Sequence, residues 1–320
     1  MKTFRGARKQ LRLILSAFFL PVAASILALG ARWSTTFDLL THFRAQYLVA
    51  FVLLAFYLIW LRTYRLACCA IGLVVLNGYW LAPLFVAKPV ELHAPSDPVV
   101  VMSANVRHRG GDPEKTSELL ARHKPDVVAL LEVDTYWLSH LSDALNRYPY
   151  RVELPREDDF GIAVYSRLPI VSHEVLEVPP LFLPTLAAEL EGGLSLFATH
   201  PIPPIGHRET LTRDAQLSRL GQRVANTEGP VLLVGDLNTT PFSPSFSDLL
   251  RRGGLRDSAR GYGYAPTWPT FFVPLSIPIV HALHTPDIEI LDRNVGPDMG
   301  SDHYPLIVTI RYETDQSESR

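Results

Sequence analysis

Five short stretches of this chain each set an oxygen or nitrogen ligand at the end of an apolar, strand-like run. They are SANVRH with Asn105, ALLEVD with Glu132, LFATHP with His200, LLVGDLNTTPFSPSF with Asp236 and Asn238, and GSDHYPLIV with Asp302 and His303. Apolar runs of this length read as buried strands, so the polar residues at their ends converge on one rim of a sheet. Carboxylates, amides and imidazoles gathered in that way suit a hard divalent cation and a general base acting on a phosphate ester. Glu132 follows VVALL, and a carboxylate so close to a core strand is costly unless a donor or a cation meets it. Asp236 and Asn238 stand two apart, the spacing that puts both side chains on one face of an extended segment. Taken singly, each residue has a plainer reading. Glu132 is a solvated strand end, Asn105 a turn former, Asp236 the start of an Asx-turn, His200 an exposed or structural loop residue and Asp302–His303 a capped turn. Their order and number along one chain favour the chemical reading over the plain ones.

The elements that must position these residues alternate in type. Strand-like runs cover 99–105, 127–131, 150–153, 161–166, 187–190, 194–199, 231–235, 279–284 and 306–311. Helical spacing covers 113–123, where Asp112 can cap and Pro113 occupies the first helical position, and recurs over 135–147, 207–226 and 244–251. Strands interleaved with helices point to an α/β layered sandwich. No internal repeat is visible, and the polar tail 313–320 is expected to be disordered.

The first ninety of the 320 residues differ sharply in composition. Apolar blocks at 11–31, 45–61 and 66–87 each come near the roughly 20 residues that cross a bilayer, so three transmembrane helices are expected. The basic start would suit a signal peptide, but two more apolar blocks follow and no small-residue cleavage site stands out. Seven basic residues (Lys2, Arg5, Arg8, Lys9, Arg12, Arg62, Arg65) fall on one side of these blocks and three (Arg32, Arg44, Lys88) on the other. The positive-inside bias therefore predicts a cytoplasmic N-terminus and, after three spans, a C-terminal portion outside the cytoplasm. The expected location is the inner membrane, multi-pass, with that portion periplasmic in a Gram-negative cell. Residues 89–98 read as a proline-interrupted linker between a membrane domain at 1–88 and a domain at 99–312. The only cysteines, Cys68 and Cys69, are adjacent in the third block, which argues against a disulfide or thiol chemistry in the outer domain. From Ala94 onward 20 basic residues face 30 acidic ones, a balance that disfavours tight binding of a polyanion such as nucleic acid.

The five motifs, in this order and spacing, resemble the endonuclease/exonuclease/phosphatase superfamily of metal-dependent phosphoesterases from about residue 98 to 311. TTPFSPSF after GDLN is the most specific part of the likeness. The resemblance implies two mixed β-sheets flanked by helices, a four-layered sandwich, at 99–312. It makes Glu132 the principal ligand of Mg2+ (or Mn2+), with Asn105 and Asp302 beside it. It makes Asp236 and His303 the residues that manage an attacking water, with Asn238 and His200 holding phosphate oxygens. The implied activity is hydrolysis of a phosphodiester that is lipid-linked, small, or nucleic acid, at the surface of the bilayer that anchors the chain. One departure counts against it: IPIVHAL places Val280 where the family usually has an aspartate that orients the final histidine, and Asp287 or His281 is left to substitute. The competing reading is a catalytically silent binding module on the same fold. Arg167 reads as a structural strand-end residue, and Trp268, in PTWP, as part of the substrate rim or as loop filling.

Overall fold

The computed structural model describes residues 2–86, 96–178 and 181–313. The linker expected at 89–98 lies largely outside them, and the tail expected at 313–320 almost wholly so. The chain divides into two compact units, Met1–Pro83 with Phe242–Pro244, and Leu84–Pro241 with Ser245–Arg320.

In the N-terminal part, α1 (Lys2–Leu27) is followed by a 3-10 turn (Ala28–Trp33), α2 (Thr35–Thr41), α3 (Arg44–Trp60) and α4 (Tyr64–Val86). Two segments, Ser16–Trp33 and Tyr64–Val86, are long and apolar enough to cross a membrane. The middle block forms α3, and α2 meets α3 at a 62° bend, so there is a third span only if that bent pair counts as one. Alone, the 17 residues of α3 reach about 25 Å, short of a hydrocarbon core of about 30 Å. Arg44, counted from sequence as a loop charge, opens α3 and is buried. Its guanidinium donates to Asn77 Oδ1 at 3.2 Å and to the Ser25 carbonyl at 3.3 Å, and Asn77 Nδ2 donates to Ser25 Oγ at 2.9 Å. This polar clasp joins α1, α3 and α4 within an otherwise apolar packing of Phe51, Leu54, Leu58 and Ala70.

The second unit begins with β1 (Val99–Asn105), α5 (Pro113–His123), β2 (Val127–Leu131), α6 (Thr135–His140) and α7 (Ser142–Leu145). It continues with β3 (Tyr150–Leu154), β4 (Ile162–Ser166), β5 (Ile170–Val178), β6 (Leu183–Leu190), β7 (Ser195–Thr199) and α8 (His207–Ala225). It closes with β8 (Val231–Asp236), α9 (Pro244–Gly253), β9 (Arg256–Asp257), β10 (Val280–His284), β11 (Ile288–Val295) and β12 (Leu306–Tyr312). One sheet has the order β11-β12-β1-β2-β4-β3 and the other β5-β6-β7-β8-β10-β9. Each is mixed, with a single parallel pair at its centre, β1 with β2 and β7 with β8.

Val101, Ala129 and Val164 of one sheet pack against Leu186, Leu196, Val234 and Ala282 of the other to form the central core. On the outer face of the first sheet Met102, Val128 and Leu130 meet Leu120, Trp137 and Leu145 of the helices. On the outer face of the second, Phe197 and Leu233 meet Leu217, Leu220 and Phe246. The strands of both parallel pairs are apolar on both sides because each sheet is covered on both faces, which is why they read as unbroken apolar runs. The four-layered α/β sandwich expected for 99–312 is what these packings form.

The register fixes which residues share an end. Thr199 pairs with Gly235, so His200 and Asp236 lie side by side just past a parallel pair. Gly235 has φ 148°, and a Cβ there would lie 2.0 Å from the Thr199 carbonyl oxygen. A Gly235→Ala substitution must push β7 and β8 apart next to Asp236, at a cost of roughly 2 kcal/mol or more. Thermal unfolding of the full chain in detergent should show that loss as a lowered midpoint; an unchanged midpoint would contradict the close strand approach.

Candidate active site

All five motifs end at one rim of the second unit. Asn105 pairs with Leu131, which places Glu132 just beyond the neighbouring strand end. Ser103 pairs with Leu306, so Asp302 and His303, which precede β12, return to that same end of β1. On the other sheet Val280 pairs with Asp236 at the start of β10.

The side chains meet across the two sheets. Asn105 Nδ2 donates to Glu132 Oε1 at 2.7 Å and to Asp236 Oδ2 at 3.3 Å, so one amide spans two carboxylates. Its Oδ1 accepts from the Arg107 N–H at 3.0 Å, which fixes the orientation of the amide. Glu132 Oε2 accepts from the His108 N–H at 3.1 Å. His200 Nε2 lies 3.7 Å from Asp236 Oδ2 and 3.9 Å from Glu132 Oε1. His303 Nδ1 lies 3.4 Å from the same Asp236 oxygen. Asp236, His200 and His303 are buried, and Glu132 nearly so.

Local backbone geometry supports this convergence. Glu132, Arg107 and Asn238 all have positive φ (64°, 62° and 49°), a conformation that costs an L residue energy and is kept only where the surroundings enforce it. Asn238 lies beyond the end of β8, so strand alternation is not what brings it near Asp236. Its backbone N–H donates to Asp236 Oδ1 at 3.0 Å, forming an Asx-turn, and its Nδ2 donates to the Pro201 carbonyl at 2.9 Å. Asp302 contacts neither Glu132 nor Asn105 directly. It accepts from Trp268 Nε1 at 3.2 Å and pairs with Arg107 Nε at 3.8 Å. Ser301 Oγ donates to the Asn105 carbonyl at 2.8 Å and accepts from the His303 N–H, tying the last motif to the first.

The donor set fits a divalent cation. His200 Nδ1 lies 3.0 Å from the Asp159 carbonyl, which can only accept, so the proton sits on Nδ1. In the neutral ring the Nε2 lone pair then faces two carboxylate oxygens. His303 Nδ1 is buried and makes no hydrogen bond. Among the described residues no lysine or arginine pairs with Glu132 or Asp236. Two carboxylates and the His200 Nε2 lone pair so placed are stabilised by a positive charge among them.

Several contributors carried no signal in the sequence. His108 bridges Asp134 (3.2 Å from Nε2) and Asp159 (3.2 Å from Nδ1), and so ties the 155–160 loop beside His200. His108, Asp134 and Glu157 also bring ligand atoms within 4.8 Å of one another, a second imidazole–carboxylate group next to the rim. His108 closes the SANVRH stretch, but neither a histidine directly after Arg107 nor acids in a loop have a spacing that would have singled them out. At Val280 the sheet offers Asp236 only a buried methyl pair. Neither suggested substitute reaches His303: His281 faces the Thr239 carbonyl at 2.9 Å, and Asp287 lies past the opposite end of β10. Burial lowers the pKa of His281, which keeps that ring neutral. Asp236 itself is the carboxylate beside His303. Arg167 pairs with Asp126 at 3.3 Å at the far end of β2, away from the rim.

Residues 102–303 match the sequence model of the Endonuclease/Exonuclease/phosphatase family. No curated protein gives a significant sequence match. Among solved structures, an endonuclease/exonuclease/phosphatase from Beutenbergia cavernae is similar at 21% identity and TM-score 0.55, over 68% of this chain and 72% of that one. A protein of that family from Bacteroides thetaiotaomicron is similar at 20% identity and TM-score 0.55, over 68% and 98%. D. rerio TDP2, solved with a single-stranded DNA product, is similar at 17% identity and TM-score 0.57, over 68% and 100%. At these identities the likeness to the structures is one of fold.

The Asp159 carbonyl sets a checkable proton position. Nitrogen-15 spectra of the full chain are expected to show the neutral His200 ring with Nδ1 protonated and Nε2 bare. A proton on Nε2 in the neutral ring would contradict the assignment.

Proposed function

The chain belongs to the endonuclease/exonuclease/phosphatase family, and on that footing we propose that its second unit is a metal-dependent phosphodiesterase held at a membrane by its first. The observation that carries the reading is the approach of Asn105, His200 and His303 to the buried Asp236 carboxylate, with Asn105 and His200 also facing Glu132, all at a single rim. Glu132 and Asn105 would hold Mg2+ (or Mn2+), with Asp302 close by through Arg107. When bound, the cation offsets charge on the scissile phosphate and acidifies water.

The protein's own groups supply the rest. Asp236 Oδ2, already central to Asn105, His200 and His303, takes up the proton of the attacking water, and His303 beside it shares the charge. A bond forms from the water oxygen to phosphorus while the ester P–O bond opposite it breaks. The leaving oxygen takes its proton from solvent at the open rim. His200 steadies a phosphoryl oxygen once charged. Asn238 keeps one amide N–H for another, since its Nδ2 carries two and Pro201 uses one. With no covalent intermediate, the rate gain comes from positioning and charge.

The substrate favoured is a lipid-linked or small phosphodiester, because the acidic outer portion repels polyanions. Nucleic acid is the runner-up, favoured by the DNA product bound to the zebrafish TDP2 of similar fold. A silent binding module is favoured by Val280 alone, against a ligand set that is otherwise complete. We place the N-terminus in the cytoplasm and the second unit outside it, in the periplasm of a Gram-negative cell, with the bent α2–α3 pair as the third crossing of the inner membrane.

Full-length protein in detergent is expected to hydrolyse a bis-aryl phosphodiester with added Mg2+ or Mn2+ and to lose activity in chelator. Glu132→Ala should lower the rate by about 100-fold or more. Equal turnover by the variant would sink the hydrolase and leave the binding module. For the anchor, a phosphatase reporter fused after Arg320 should work only outside the cytoplasm; activity of a cytoplasm-dependent reporter there would reverse the orientation.

A further inference from the structure

An uncharged, outward-facing loop lies against the proposed site. From Gly261 to Pro286 the sequence has no Asp, Glu, Lys or Arg, although the outer portion as a whole is rich in acid. Within that stretch Phe271, Phe272, Val273 and Leu275 are 78%, 50%, 61% and 48% exposed. Single exposed apolar side chains are ordinary, but a run of four within five residues is not, unless something covers it.

The loop is built to display these side chains. Its turn is closed by Leu275 N–H to the Phe272 carbonyl and Ser276 N–H to the Val273 carbonyl, both at 3.0 Å. Ser276 Oγ donates to the Pro269 carbonyl at 2.6 Å across its base. Thr270 donates twice to the strand-end motif, N–H to the Asp302 carbonyl and Oγ1 to the Ser301 carbonyl, each at 3.0 Å. Trp268, in the same loop, bonds Asp302 and lies 6.2 Å from the His303 ring. Whatever covers the loop is therefore seated directly beside the proposed phosphate site.

We infer that the loop 270–275 docks into a lipid surface, and that the site takes a phosphodiester borne by a lipid in that surface. The inference deepens the phosphodiesterase reading and rests on it for the substrate, though not for the docking. Three observations select lipid over other occupants. Nucleic acid wants cations along its path, and this stretch has none. Aromatic and aliphatic side chains on an uncharged, rigid turn match the acyl boundary of a bilayer. The chain itself carries helices fit to span a membrane, and only residues 87–98 separate Val86 of α4 from β1. Fully extended, that stretch reaches on the order of 40 Å, which keeps the domain within reach of the bilayer surface.

The test uses the full chain in lipid nanodiscs, with Cys68→Ala and Cys69→Ala removing the native thiols. Spin labels are attached at Phe271→Cys and Val273→Cys, and at Val171→Cys on exposed strand β5 for comparison. Oxygen-to-nickel-chelate accessibility ratios at the two loop sites are expected to exceed that of Val171→Cys by about threefold or more, as for side chains below the headgroups. Ratios equal to the Val171→Cys value would overturn the docking. So would spin–spin broadening that fades as the protein is diluted, which would name a second copy as the occupant. In the native-thiol chain, Phe271→Ser with Val273→Ser should cut hydrolysis of nanodisc phospholipid about tenfold more than hydrolysis of the soluble bis-aryl ester. An equal effect on both substrates would overturn the lipid-borne substrate. If wild type hydrolyses neither ester, the phosphodiesterase reading fails, and the label ratios still decide the docking.

Discussion

Two carboxylates held together at the end of buried strands set the terms for the second unit. Glu132 and Asp236 belong to different sheets, and the Asn105 amide donates to both. Anions so poorly solvated repel one another unless donors or cations intervene, so the rim is stable only with its surroundings in place. The Arg107 and His108 N–H groups, the Asn238 N–H and the two imidazoles form those surroundings. The sandwich fold is what brings two such strand ends opposite each other, because its central core closes one sheet over the other.

Much of this was legible in the sequence, and for a physical reason. Strands covered on both faces are apolar throughout, so VVVMSA, VVALL and VLLV announce themselves, and the first polar residue after each marks the rim. The edge strands were harder. IVSHEVLEV of β5 and IEILDRNV of β11 lie at the outer edges of their sheets, where charged residues interrupt the apolar pattern. Contacts through backbone atoms were invisible altogether. The Asp159 carbonyl that sets the His200 proton carries no side-chain signature, and His108 acquires its importance only from where the 155–160 loop falls. The same limit applies to the middle apolar block, whose composition fits a span but whose helix α3 has only 17 residues and meets α2 at a bend.

Val280 stands where the resemblance implied an aspartate beside the final histidine. A valine opposite Asp236 adds to the apolar core and gives His303 nothing to bond. His303 Nδ1 lies 3.4 Å from the carboxylate that also faces His200. One aspartate then lies beside two histidines. Its own orientation rests on the Asx-turn with Asn238 and on the close strand approach at Gly235.

The bond from Ser301 Oγ to the Asn105 carbonyl joins residues 196 apart in the chain. Such a distant closure belongs to the late stages of folding, since loop entropy must be overcome before the contact can form. The first motif to leave the ribosome waits for the last, and β12 must seat beside β1 before His303 reaches Asp236. A chain without its final strand therefore has an incomplete rim, because β12 pairs with β1 and the loop before it carries His303 to Asp236.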